Sequence, residues 1–116
     1  MPGYLTTHVL DTANGRPARG MRITLDALDG DARHRLAETV TNDDGRTDAP
    51  ILPETRFAPG LYELTFHVGD WLDQDNAPPG PRFLDTVPIR FAMAEAAHYH
   101  VPLLVSPFGY STYRGS

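Results

Sequence analysis

Short runs in which every second residue is apolar recur along the chain, each closed off by prolines, glycines or an Asn/Asp cluster. In "LYELTFHV", Tyr62, Leu64, Phe66 and Val68 point one way while Glu63, Thr65 and His67 point the other, the period of a strand with one face in a core. Val87, Ile89, Phe91 and Met93 repeat the pattern in "TVPIRFAM". With "YLTTHVLD", "MRITLDALD", "RLAETVTN" and "HYHVPLLV" these make six predicted strands, with two weaker ones beside them. The 11 prolines and 10 glycines fall between the runs as turn signals, the punctuation of an all-β domain. The architecture that buries such strands is a two-sheet antiparallel β-sandwich. The Asp-Gly of "ALDGDARH" predicts a hairpin, and the short "AEAA" predicts another between the last two long strands. Pro88 lacks an N–H and predicts an edge or a bulge. One short helix is expected in "VGDWLDQDN", with Asp70 as its cap. "NAPPGPRF" reads as a stiff loop within the domain.

Length and charge narrow the function classes. A chain of 116 residues predicts a single domain over 1–116 with one core. All ten basic residues are arginine, the formal charge is −5 and cysteine is absent. Thiol nucleophiles, thiolate metal sites, disulfides and lysine Schiff-base chemistry are thereby excluded. The acidic balance argues against nucleic acid or an anionic membrane as partner. No run approaches the length of a membrane span, and the opening "MPGYLTTHVLDT" lacks a signal-peptide pattern, so a cytoplasmic protein is expected.

Candidate chemistry rests on five histidines: His8, His34, His67, His98 and His100. On a strand, His8 shares a face with Thr6 and Leu10, and His98 and His100 share one with Leu104. His100 stands in a strongly apolar run, so its imidazole is either tied by hydrogen bonds or lines a site. The i, i+2 spacing of His98 and His100 also suits two metal ligands, but the sequence around them offers no third or fourth. Arg46 follows Gly45 in the turn "TNDDGRTDAP". It is either solvated or placed to grip a planar, oxygen-rich anion with paired hydrogen bonds. No GxSxG elbow surrounds Ser106, which favours an activated water over an acyl-enzyme in any hydrolase reading. The final Tyr113-Arg114-Gly115-Ser116 carries a phenol, a guanidinium and a hydroxyl where chain ends are ordinarily dull.

Three blocks, "LTTHVLDTANGRPA", "TNDDGR" and "YHVPLLVSPFGYSTYRGS", together resemble the transthyretin-like 5-hydroxyisourate hydrolases of urate breakdown. The resemblance runs from Leu5 to Ser116. It implies a transthyretin-like β-sandwich that assembles as a homotetramer, a dimer of dimers, with sites at the dimer–dimer interface. It implies His8, Arg46 and His100 as catalytic residues, with Tyr113, Arg114 and Ser116 joining His8 and Arg46 in binding substrate. The implied reaction is hydrolytic opening of 5-hydroxyisourate to 2-oxo-4-hydroxy-4-carboxy-5-ureidoimidazoline, with no metal and no other cofactor. In that scheme His8 and His100 supply the base and proton relay on a water, and Arg46 holds the developing negative charge. The tail is expected to be ordered against the pocket.

Two rival readings share the sandwich. One is a transthyretin-type carrier that holds a small molecule without reacting. The other is a metal-binding module in which His98 and His100 hold the ion. The full set of His8, Arg46, His100 and the Tyr-Arg-Gly-Ser end favours the hydrolase.

Overall fold

The computed structural model describes residues 2–74 and 81–115. Ten strands and one short helix follow in the order β1 (Tyr4–Thr6), β2 (Val9–Asp11), β3 (Arg16–Pro17), β4 (Arg22–Asp29), β5 (Ala32–Val40), β6 (Gly60–His67), α1 (Val68–Leu72), β7 (Thr86–Met93), β8 (His98–His100), β9 (Leu103–Ser106) and β10 (Gly109–Thr112). The predicted all-β sandwich with one helix is what forms.

One sheet has the order β5-β4-β6-β7, all antiparallel. Its inner face carries Ile23, Leu25, Leu64, Phe66, Val87 and Met93, each no more than 1% exposed. Sealing a side chain of that size from water contributes about 1.5–3 kcal/mol, so the alternating pattern itself sets which face turns inward. On the outer face Asp26 pairs in register with Glu63, and Glu63 with Arg90. Arg33 bonds both carboxylates at 2.9 and 2.8 Å, Arg35 bonds Asp26 at 2.6 Å, and Arg90 reaches Glu63 at 3.2 Å. Like charges directly opposite on β4 and β6 would repel; the three guanidiniums between them turn that pair into a ladder.

Facing this sheet are two shorter pieces, β1-β8 and β10-β9-β2-β3. β1 and β2 are successive parts of one run, as are β8 and β9, each interrupted by two residues. Leu5, Val9, Tyr99, Val101, Leu103 and Val105 turn inward and join the other sheet's residues in one core cluster. Thr6, His8, Leu10, His98, His100 and Leu104 are half-buried on the opposite side, as strand alternation predicts. The β1–β8 and β2–β9 pairings run parallel, because the two ends of the chain lie side by side after the whole first sheet has been formed between them.

Two local expectations are corrected. "AEAA" does not close a hairpin: β7 pairs only with β6, and β8 pairs with β1, so this segment crosses from one sheet to the other. Alternation marks an inward face without saying which sheet owns it. Asp70 lies inside the first turn of α1, and the cap position is His67, with no side-chain cap bond. Burial of Val68 and Gly69, and the bond from Trp71 Nε1–H to the Arg19 carbonyl at 2.8 Å, hold the helix instead. The end segment also forms a strand, β10, folded back on β9 with Ser106 opposite Gly109.

Other expectations stand. Asp29 and Ala32 close the β4–β5 hairpin, with Gly30 at φ 57°, the positive value that two-residue hairpin turns require. Pro88 sits on β7, an edge strand. Residues 75–80, which take in the end of "VGDWLDQDN" and most of "NAPPGPRF", lie outside the described residues. So does Ser116.

Candidate active site

The parallel register of β1 and β8 puts Tyr4 beside His98 and Thr6 beside His100. Because side chains alternate, all four project from the same outer face. Tyr4 and His98 stack with ring centroids 4.1 Å apart and planes 7° off parallel. The Thr6 hydroxyl oxygen lies 2.7 Å from Nε2 of His98 and 2.8 Å from Nδ1 of His100. Thr6 thus engages one nitrogen of each ring. Among the described residues no group of three or more His, Cys, Asp or Glu side chains is arranged to hold a metal ion.

His8 reaches the same face by a different route. Between β1 and β2 it forms an isolated antiparallel bridge with Arg46, and its Nε2–H donates to the Asp44 carbonyl oxygen at 2.7 Å. The turn that delivers Arg46 is built by Asn42, whose side-chain oxygen accepts from the N–H groups of Asp44 and Arg46 at 2.9 and 3.1 Å. Gly45 closes it at φ 73°. A Cβ there would run into the Val9 carbonyl oxygen, while the Gly45 carbonyl accepts from Val9 N–H at 2.8 Å. The left-handed backbone and the close approach each demand glycine.

Burial pushes the His8 imidazole below the ordinary histidine range, and the Arg46 guanidinium pushes it further, against the opposing pull of Asp44. His100 is lowered by burial first, then by Arg46, His98 and His8. Both imidazoles are therefore held neutral near pH 7, with a lone pair available to accept a proton.

The end segment meets this cluster at one point. Gly115 N–H donates to the His100 carbonyl at 2.6 Å, and a Cβ on Gly115 would come within 2.7 Å of the His100 ring. Arg114 turns the other way: its guanidinium carbon lies 4.3 Å from the ring centre of Tyr99, which alternation places on the inward side of β8. Tyr113 and Arg114 line a cleft with Ile89, Phe91, Ala92 and Val101. Within one chain, then, His8, Arg46 and His100 come together with Gly115, while Tyr113 and Arg114 face elsewhere. His34 is exposed on β5, and His67 ends β6 on the other sheet.

Thr6 and Tyr4 were not singled out as site residues by the sequence reading. The signal for Thr6 was its period-two relation to His8; its contacts with His98 and His100 span almost the whole chain.

The β-sandwich thus gathers on one outer face two imidazoles held below the ordinary histidine range and one guanidinium. The HIUase/Transthyretin family model matches residues 5–115, and the chain belongs to that family. It is 62% identical over 115 residues to the 5-hydroxyisourate hydrolase of Mesorhizobium japonicum, covering 98% of this chain and 93% of that protein. Among solved structures it resembles (S)-allantoin synthase, with a TM-score of 0.88 and 49% identity over 98% of this chain. The match spans 44% of the synthase chain. The 5-hydroxyisourate hydrolase of Klebsiella pneumoniae superposes with a TM-score of 0.83 at 35% identity, covering 98% of this chain and 99% of that one.

Proposed function

We propose that this chain is a 5-hydroxyisourate hydrolase of urate degradation, opening the cyclic amide of its substrate to 2-oxo-4-hydroxy-4-carboxy-5-ureidoimidazoline. The observation that carries the reading is the meeting of His8, Arg46 and His100 on one sheet face, with both imidazoles held neutral. Identity of 62% to a hydrolase of that name supports it. Amide hydrolysis needs a water stripped of a proton, a positive group for the developing oxyanion and a proton for the leaving nitrogen. The two histidines supply the proton traffic, and Arg46 supplies the charge in a fork suited to a flat, oxygen-rich substrate.

The single domain works as a homotetramer, a dimer of dimers, in the cytoplasm. Leu10 and Leu104, paired in register, flank the histidines on the face where two dimers would meet. Facing dimers would close the site over its substrate. Tyr113, Arg114 and Ser116 then complete the pocket in the assembly, with Gly115 as the point where the tail already touches the catalytic strand. Among the described residues no helix is long and apolar enough to cross a membrane.

The test is the ultraviolet decay of freshly generated 5-hydroxyisourate with the full chain, and with a variant lacking Tyr113 to Ser116. Fast decay with the first and near-spontaneous decay with the second are expected. An unaccelerated decay with the full chain overturns the assignment and brings the carrier and metal-module readings forward.

A further inference from the structure

We propose that Thr6 and His98 are positioning residues that make His100 the general base, fixing its proton on Nδ1 and leaving the lone pair on Nε2. The inference rests on the reading of His100 as catalytic and goes beyond it by separating the roles of the two site histidines.

The geometry is a three-member chain: His98 Nε2, Thr6 Oγ1 and His100 Nδ1, with links of 2.7 and 2.8 Å. A hydroxyl has one proton to give. If both links are hydrogen bonds, Thr6 donates to one ring and accepts from the other. Two arrangements satisfy this rule. In the first, His100 Nδ1–H donates to Thr6 and Thr6 donates to His98 Nε2. In the second, both directions reverse, and the neutral His100 carries its proton on Nε2, where it cannot act as a base.

The first arrangement is the one compatible with turnover. When His100 takes a proton from water at Nε2, both of its nitrogens become donors, and Nδ1–H still needs an acceptor in a half-buried site. Thr6 already accepts from it in the first arrangement, so no group has to rotate. In the second arrangement, Thr6 would have to turn away and His98 would have to surrender its Nε2 proton.

His98 adds what a plain carbonyl acceptor would not. A shift of two protons along the chain, from His100 Nδ1 to Thr6 and from Thr6 to His98 Nε2, leaves His100 neutral with its new proton on Nε2. The positive charge then rests on His98, the proton count unchanged. That moves the charge away from Arg46, whose guanidinium opposes an imidazolium on His100. Tyr4, stacked on the His98 ring at 4.1 Å, offers a π-face to the cation. As His100 gives its Nε2 proton to the leaving nitrogen, the reverse shift from His98 Nε2 through Thr6 restores the Nδ1 proton, so the ring stays neutral and the first arrangement is regenerated.

His8 is wired differently. Its Nε2–H donates to a carbonyl, which can only accept, so its orientation is set by the backbone without a relay behind it. His8 keeps a lone pair on Nδ1, and the inference gives it the part of orienting the water or substrate beside the base.

The experiment combines nitrogen-15 NMR of histidine-labelled protein with kinetics of Thr6→Val, Thr6→Ser and His98→Phe. In the unmodified protein at a pH where His100 is neutral, the proton is expected on Nδ1. Thr6→Val should lose that preference and lower kcat at least about 10-fold, a part of the ~10²–10⁴ that general acid–base help supplies, with KM little changed. Thr6→Ser restores the hydroxyl and should recover both the tautomer and most of the turnover. His98→Phe keeps the stack on Tyr4 and should lower kcat as Thr6→Val does. A neutral His100 protonated on Nε2 overturns the inference, as does a Thr6→Val enzyme of normal kcat. The NMR result needs no substrate, so it tests the relay even if the full chain fails to act on 5-hydroxyisourate, which would sink the hydrolase reading alone.

Discussion

Arg46 faces His8 across an antiparallel bridge, and its charge also bears on His100. On the proposed reading one guanidinium grips the substrate, and after burial it is the next cause that lowers both imidazoles. Its removal should be felt in two separable measurements.

Arg46→Leu is expected to lower turnover at least ~10²-fold, the scale of losing one oxyanion-stabilising group. Arg46→Lys should recover little, since an ammonium lacks the planar fork. Arg46→Lys loses the fork but keeps the charge, so only in Arg46→Leu, where the charge goes too, should His8 and His100 both titrate at higher pH. The acid limb of kcat/KM should then move upward relative to the unmodified enzyme. An unshifted limb with normal turnover would take Arg46 out of the site.

The unmodified enzyme should retain activity to lower pH than an ordinary histidine base allows. A free imidazole titrates near pH 6.5, and burial with Arg46 lowers both His8 and His100. The neutral, proton-accepting forms therefore persist below that value, and the rate should fall only at more acid pH. A midpoint above about 6.5 in the pH–rate profile would contradict a lowered base.

Gly45→Ala should cost at least about 1–3 kcal/mol in chemical denaturation, the range for a residue forced into a strained backbone region. The collision with the Val9 carbonyl adds to it. Because Arg46 is the next residue, the variant's surviving folded fraction should also turn over more slowly. A fully active and fully stable Gly45→Ala would mean that the turn has a second acceptable form.

The outer charge ladder predicts acid sensitivity. Burial works to raise the Asp26 carboxyl, but hydrogen bonds from Arg35 and Arg33 hold it below its usual value. Glu63 is held down first by Arg33, against burial and with help from Arg90. Folded values below the unfolded ones mean that this stabilisation is fully present above about pH 4.5 and is lost as pH falls through the folded values. Glu63→Gln should be less stable than the parent at pH 7 and should narrow that difference toward pH 3, read by urea midpoints. A constant difference across that range would assign the loss to packing instead.

Much of this was legible from the sequence, for identifiable reasons. Tyr62, Leu64 and Phe66 alternate cleanly because their strand has one dry face, and that face is where they lie. His8, Arg46 and His100 were found through motif resemblance, since their approach joins three remote parts of the chain. Thr6 escaped notice because a threonine in a strand is ordinary until its register against His100 is known. β10 was missed because Gly109, Ser111 and Thr112 carry little apolar signal; the backbone bonds to β9 decide it. "AEAA" misled because local spacing reports a short connection and not its direction across the sandwich.

Pro88 has one more effect. It lies opposite Thr65 on the edge strand β7 and brings no N–H to that strand. A stray strand trying to zip along that margin would find a gap in the row of donors, the kind of blemish that keeps sheet edges from seeding fibres. An edge strand so marked is a poorer template for a second chain, and the residue responsible lies far from any chemistry.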